Sequence, residues 1–125
     1  MEPDMSMRVA TALLGVGAVG GLVMAGIRLS GAPRPPTWLA MLHGGLAAAG
    51  LTLLIYTALT VGIPLLAQLA LGLLVVAALG GTFINLRFHS RMLPLPIPLM
   101  IGHAVIAVAG FVILLLSVLR LSYAG

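Results

Sequence analysis

The chain has 125 residues, 62% of them hydrophobic and 6% charged, where an ordinary soluble domain carries about 25% charged residues. So few charges cannot cover a surface that faces water, so the composition excludes a soluble globular domain and points to lipid as the solvent. The net charge of +4 comes from arginines placed singly at the ends of apolar runs, with no basic stripe to follow a phosphate backbone and hence no nucleic-acid partner. The absence of cysteine excludes disulfides, thiolate catalysis, iron–sulfur clusters and c-type haem attachment.

Residues 1–7 are short and carry Glu2 and Asp4. The apolar run that follows is longer than the core of a signal peptide, roughly 7–15 residues, and reads as a retained first span. That span covers Met7 to Leu29. The loop Ser30 to Thr37 follows, and its prolines stop the helices on either side. A second span runs from Trp38 to Thr60, and a tight turn around Val61 to Pro64 makes it a neighbour of the third, Ile63 to Leu86. The loop Phe88 to Pro96 leads to the fourth, Ile97 to Leu119. Each span is long enough as a helix to cross roughly 30 Å of hydrocarbon at about 1.5 Å per residue. A segment in lipid must satisfy its own backbone polar groups, so helix is predicted. The alternating segments of about ten residues that a β-barrel needs are absent. The expectation is an all-α integral membrane protein, one membrane domain over residues 1–125, folded as a four-helix bundle. No loop is large enough to be a soluble domain, so any catalytic site would have to be in the bundle or at its rim, and the chain is not expected to be an enzyme by itself.

One end of such a bundle carries both long loops and Arg28, Arg34, Arg87 and Arg91. The other carries Arg8, Arg120, both acids and both termini. An excess of arginine marks the cytoplasmic side, so the loop end is expected in the cytoplasm and both termini in the periplasm. The all-arginine, Gly/Ala-rich usage suggests a bacterial inner membrane.

The sequence also matches itself. At an offset of 60 residues without gaps, sixteen positions between 10 and 59 are identical to their counterparts, among them Leu14/Leu74, Gly20/Gly80, Gly21/Gly81, His43/His103, Ala47/Ala107, Gly50/Gly110 and Leu54/Leu114. Residue frequencies this skewed give roughly five identities by chance. Two tandem helical hairpins are therefore expected, residues 7–60 and 63–120, related by a pseudo-twofold axis along the membrane normal. The paired glycines fall mid-span, where small residues let helices approach, and Gly17 with Gly21 forms a GxxxG step.

His43 and His103 are the residues with chemistry to offer. In each repeat the histidine is followed by alanine at +4 and glycine at +7, which places all three on one helix face. Each lies about one and a half turns inside its helix. If the second and fourth spans face one another, two imidazoles meet at one depth. A haem held between two histidines wants that arrangement, with small residues such as Gly50 and Gly110 lining the cleft and Leu51 and Phe111 flanking the ring. Its propionates want cations near the rim, and Arg28, Arg34 and Arg87 stand on the correct side. With His43, His103, Gly44, Gly50 and Gly110 on four spans, the chain resembles in a general way the four-helix b-type membrane cytochromes. The resemblance implies haem b and electron transfer with quinol. Many of those cytochromes bind two haems through four histidines, and this chain has one matched pair.

Plainer readings accompany each residue. A histidine near a helix end can sit at headgroup level and bond water or phosphate. His89, whose counterpart is Leu29, reads as a solvated loop residue, with a third metal ligand or a proton donor near a quinone as its functional version. Asn85 reads as a hydrogen bond between helices. Trp38, Tyr56 and Tyr123 read as interfacial anchors. No acid lies in a span, so the carboxylate of a proton-coupled exporter is missing. Three functions stay open: a haem-binding electron-transfer subunit, a cofactor-free accessory subunit of a larger membrane complex, and a small transporter or channel working as a homodimer.

Overall fold

Residues 3–124 are described by a computed structural model. Four helices follow one another: α1 Pro3–Leu29, α2 Thr37–Thr60, α3 Leu65–Arg87 and α4 Ile97–Ala124. A 3₁₀ turn, His89–Arg91, stands between α3 and α4, and no strand occurs among the described residues. All four helices are long and apolar enough to cross a membrane.

The helix boundaries differ from the sequence reading by more than one residue at three points. The first helix starts at Pro3, four residues before Met7, because the polar start is itself helical: the Arg8 Nε donates to Asp4 Oδ2 at 2.9 Å, one turn back. The last helix runs on to Ala124, and Arg8 also donates to the Ser122 hydroxyl at 2.9 Å, tying the two overhanging ends together. At about 1.5 Å per residue these helices are about 40 Å long, more than the roughly 30 Å of hydrocarbon, so polar overhangs are physically consistent. Finally, α3 starts at Leu65, since Ile63 belongs to the turn. There Gly62 takes φ +87°, and the Val61 and Gly62 amides both donate to the Thr57 carbonyl at 3.0 Å. That left-handed glycine closes the end of α2. Glu2, counted with the acids at this end, lies outside the described residues.

Each helix packs on the next, α1 also packs on α4, and the α2–α3 contact is the lightest, so α2 and α4 stand on a diagonal. The core is concentrated in the half nearer the termini. Met7, Ala10 and Leu14 of α1 meet Leu54 of α2, Ala67, Ala70 and Leu74 of α3, and Leu114 and Val118 of α4. Leu54 and Leu114 are 0% exposed. In lipid such packing rests on dispersion and close approach rather than on expulsion of water. Glycine supplies the close approach: a Cβ at Gly50 would lie 2.8 Å from Leu14 Cγ, and one at Gly110 3.0 Å from Leu74 Cγ.

The opposite end is strapped by its two loops. The Leu95 amide donates to the Pro33 carbonyl at 3.0 Å. The Arg28 side chain donates to the Leu95 carbonyl at 2.9 Å, and Arg34 to the Met92 carbonyl at 3.0 Å. His89 Nε2 donates to the Pro35 carbonyl at 3.0 Å. Met92, a non-glycine residue at φ +61°, turns the chain toward α4.

Candidate functional site

Both histidines point into the bundle. The His43 ring leans from α2 onto α1, where Nδ1 lies 2.7 Å from the Gly17 carbonyl oxygen. The His103 ring leans from α4 onto α3, where Nδ1 lies 2.8 Å from the Ala77 carbonyl oxygen. A carbonyl only accepts, so in each case Nδ1 carries the proton, and the neutral ring keeps the Nε2 lone pair free. Gly17 and Ala77 are themselves 60 positions apart, as His43 and His103 are.

Local sequence makes this possible. The ring of His43 lies against Gly21, where a Cβ would come within 2.9 Å of its Cε1. His103 lies against Gly81 in the same manner, again at 2.9 Å. Each glycine is thus a notch that seats an imidazole against the neighbouring backbone. A Cβ at Gly20 would lie 3.8 Å from His43 Cβ, and one at Gly80 4.0 Å from His103 Nδ1. A Cβ at Gly17 would lie 3.5–3.6 Å from Leu46 Cβ and the Ala47 nitrogen of α2, so the GxxxG step serves packing within the first hairpin.

The two rings meet across the diagonal. Their centroids are 6.2 Å apart, with the planes at 89°. Two imidazoles bound on opposite sides of one metal, each nitrogen about 2 Å from it, leave their centroids roughly 6 Å apart. A metal-binding histidine almost always donates its other ring proton to a carboxylate, carbonyl or water, which fixes the tautomer and the ring orientation. Both rings have that second bond. The spacing of the rings and the Nδ1 bonds, which leave Nε2 as the acceptor atom, are what two histidines that share a transition metal would need.

The remaining predicted residues are distributed differently. Gly50 and Gly110 are buried against Leu14 and Leu74 within their own hairpins, which makes them packing residues. Phe111 packs on Gly15, with its ring 3.2 Å from where a Cβ would be, and joins the rim of the core together with Leu51. Arg28 and Arg34 are at the loop end, half-buried and bonded to loop carbonyls. Arg87 is exposed. His89 is 5% exposed and bonded to Pro35, which corrects the solvated reading: it is a strut between the loops. It does not complete a metal cluster with the other two, since no group of three such side chains occurs among the described residues. Asn85 is exposed and makes no hydrogen bond to a described residue, so it does not join helices within the chain. Trp38, Tyr56 and Tyr123 are all exposed, at the ends of their helices.

What the sequence reading missed is the glycine notch. The Gly20-Gly21 and Gly80-Gly81 pairs were legible as close-approach positions, but nothing in an apolar helix says that the group approaching is the imidazole of the adjacent helix. Comparison with protein-family models, with curated proteins and with solved structures returned no match.

Proposed function

We propose that this chain is a haem protein of the membrane, a small b-type cytochrome subunit in which His43 and His103 would together hold one haem iron. One observation carries the reading: two imidazoles on diagonal helices, each fixed through Nδ1 by a backbone carbonyl, with centroids 6.2 Å apart. Bound haem supplies one-electron chemistry. The chain's own residues do the rest. Nε2 of each histidine would be the ligand atom, and the Gly17 and Ala77 carbonyls, which accept from Nδ1, would hold the rings and raise their basicity. Gly20, Gly21, Gly80 and Gly81 keep the walls beside the rings free of side chains. Arg87, exposed at the loop end, would be the cation available to a propionate, while Arg28 and Arg34, bonded to loop carbonyls, would frame that rim.

The duplication supports the same reading. Two hairpins, residues 7–60 and 63–120, around a pseudo-twofold axis along the membrane normal put equivalent histidines at equal depth. The paired contacts 60 residues apart are what such a repeat produces. The proposed setting is a bacterial inner membrane with the loop end in the cytoplasm and both termini in the periplasm. The chain works there with other membrane subunits or with a second copy of itself, receiving electrons from a quinol-type donor.

The test is a visible spectrum, reduced minus oxidised, of the purified protein in detergent or nanodiscs. A b-type α band is expected, lost in both His43→Ala and His103→Ala while the helical circular dichroism is retained. A folded wild-type protein that stays colourless after expression with excess haem rejects the cofactor and leaves an accessory subunit.

A further inference from the structure

We propose that the loop end is the docking surface for a soluble redox protein that presents acidic side chains, with Arg91 as its principal free cation. This rests on the haem reading above and names the partner of that site.

Depth decides which end exchanges electrons. His43 and His103 are each the seventh residue of their helices. At about 1.5 Å per residue they lie about 9 Å from the loop end, but about 26 Å from the far end of α2 and about 32 Å from that of α4. The intervening half is filled by the core around Leu54 and Leu114. The loop end is therefore the short way out.

The charges at that end divide into two kinds. Arg28 and Arg34 are committed to the carbonyls of Leu95, Ala32 and Met92 and hold the loops together. Arg87 and Arg91 are exposed and make no hydrogen bond or ion pair with a described residue. Asp4, the only acid among the described residues, is paired with Arg8 at the opposite end, so no described acid stands beside Arg91. Arg91 is carried on a surface that cannot easily yield, since His89 two residues earlier is buried and bonded to Pro35, and Leu95 is bonded to Pro33. Beside it, Met92 and Leu93 are exposed apolar residues. Free arginine next to exposed methionine and leucine, on a fixed frame, is the make-up of a small transient interface, in which charge steers the encounter and a limited apolar patch completes it.

Anionic lipid headgroups are drawn to the same charges, and the experiment separates them. The haem-loaded, full-length protein is reduced in nanodiscs of phosphatidylcholine alone and mixed with oxidised cytochrome c, either native and basic or succinylated and acidic. At low ionic strength the acidic form should be reduced at least tenfold faster than the basic form. Arg91→Glu should remove that preference without changing the haem spectrum. The control Arg120→Glu, at the terminus end, should leave it intact. Salt should erase it as the screening length falls from about 30 Å at 0.01 M to about 3 Å at 1 M. Equal rates for the two forms, or insensitivity to Arg91→Glu, overturns the proposal while leaving the haem spectrum standing. An effect of Arg91→Glu that appears only when phosphatidylglycerol is added assigns the charge to lipid and also overturns it. A colourless protein removes both this proposal and the reading beneath it.

Discussion

At the residue scale, the imidazoles depend on what is missing beside them. Gly21 and Gly81 have no Cβ, and each ring carbon Cε1 stands 2.9 Å from where one would be. Adding that carbon displaces the ring, and with it the Nδ1 bond to Gly17 or Ala77. Gly21→Ala and Gly81→Ala are therefore expected to lower haem retention and broaden the low-spin electron paramagnetic resonance signal. Gly26→Ala, where nothing lies within 4 Å, should leave both unchanged. A Gly21→Ala protein with unaltered haem content and spectrum would show that the notch does not set the ring. Sequence made the histidine pair legible because two copies of His-x3-Ala-x2-Gly stood 60 residues apart. It left the role of Gly50 and Gly110 illegible, because a small residue on a histidine's helix face can line a cleft or admit a neighbouring leucine, and the spacing is the same for both. His89 was misread for a related reason: its burial comes from Pro35, 54 residues away, and no local pattern encodes that bond.

At the element scale, the helices were readable from hydropathy and proline, whereas their rotation was not. A helix that is apolar all round has no polar face to mark its outside, so only small residues report which side meets a neighbour. Gly50 and Gly110 do so for the two hairpins. A Cβ at Gly50 would lie 2.8 Å from Leu14 Cγ and 3.0 Å from the Ala10 carbonyl oxygen, the second being backbone that cannot rotate away. At Gly110 the nearest atoms, 3.0–3.2 Å away, all belong to the side chains of Leu73 and Leu74. Overpacking of this kind costs about 1–3 kcal/mol, and more where backbone must move. Gly50→Ala should therefore destabilise the protein more than Gly110→Ala, by about 1 kcal/mol, in steric-trap or denaturant unfolding in micelles. Equal losses, or a reversed order, would show that α1 and α2 part without cost. The outer helix ends were legible only within about a turn and a half, since the Asp4–Arg8 pair and the Arg8–Ser122 bond extend α1 and α4 past the apolar runs from which they were read.

At the scale of the whole molecule, an even number of crossings returns the chain to the side from which it started. The loops at 30–36 and 88–96 are bonded to one another through Leu95 and Pro33, which places them at one end of the bundle whatever the surrounding solvent. Composition alone announced four spans, but which end faces the cytoplasm rests on arginine numbers, four against two. The absence of cysteine makes this directly measurable, since a single engineered thiol has no background. Ser30, Ser90 and Ser122 are exposed, and replacing any of them with cysteine adds no bulk beyond sulfur for oxygen. In intact bacterial cells, a membrane-impermeant maleimide should label Ser122→Cys and spare Ser30→Cys and Ser90→Cys. The latter two should react only after the membrane is opened. Labelling of Ser30→Cys and Ser90→Cys in intact cells, with Ser122→Cys protected, reverses the orientation but keeps the bundle. Labelling of one loop without the other breaks the four-crossing fold itself, and with it the equal depth of His43 and His103 on which the proposed shared iron would depend.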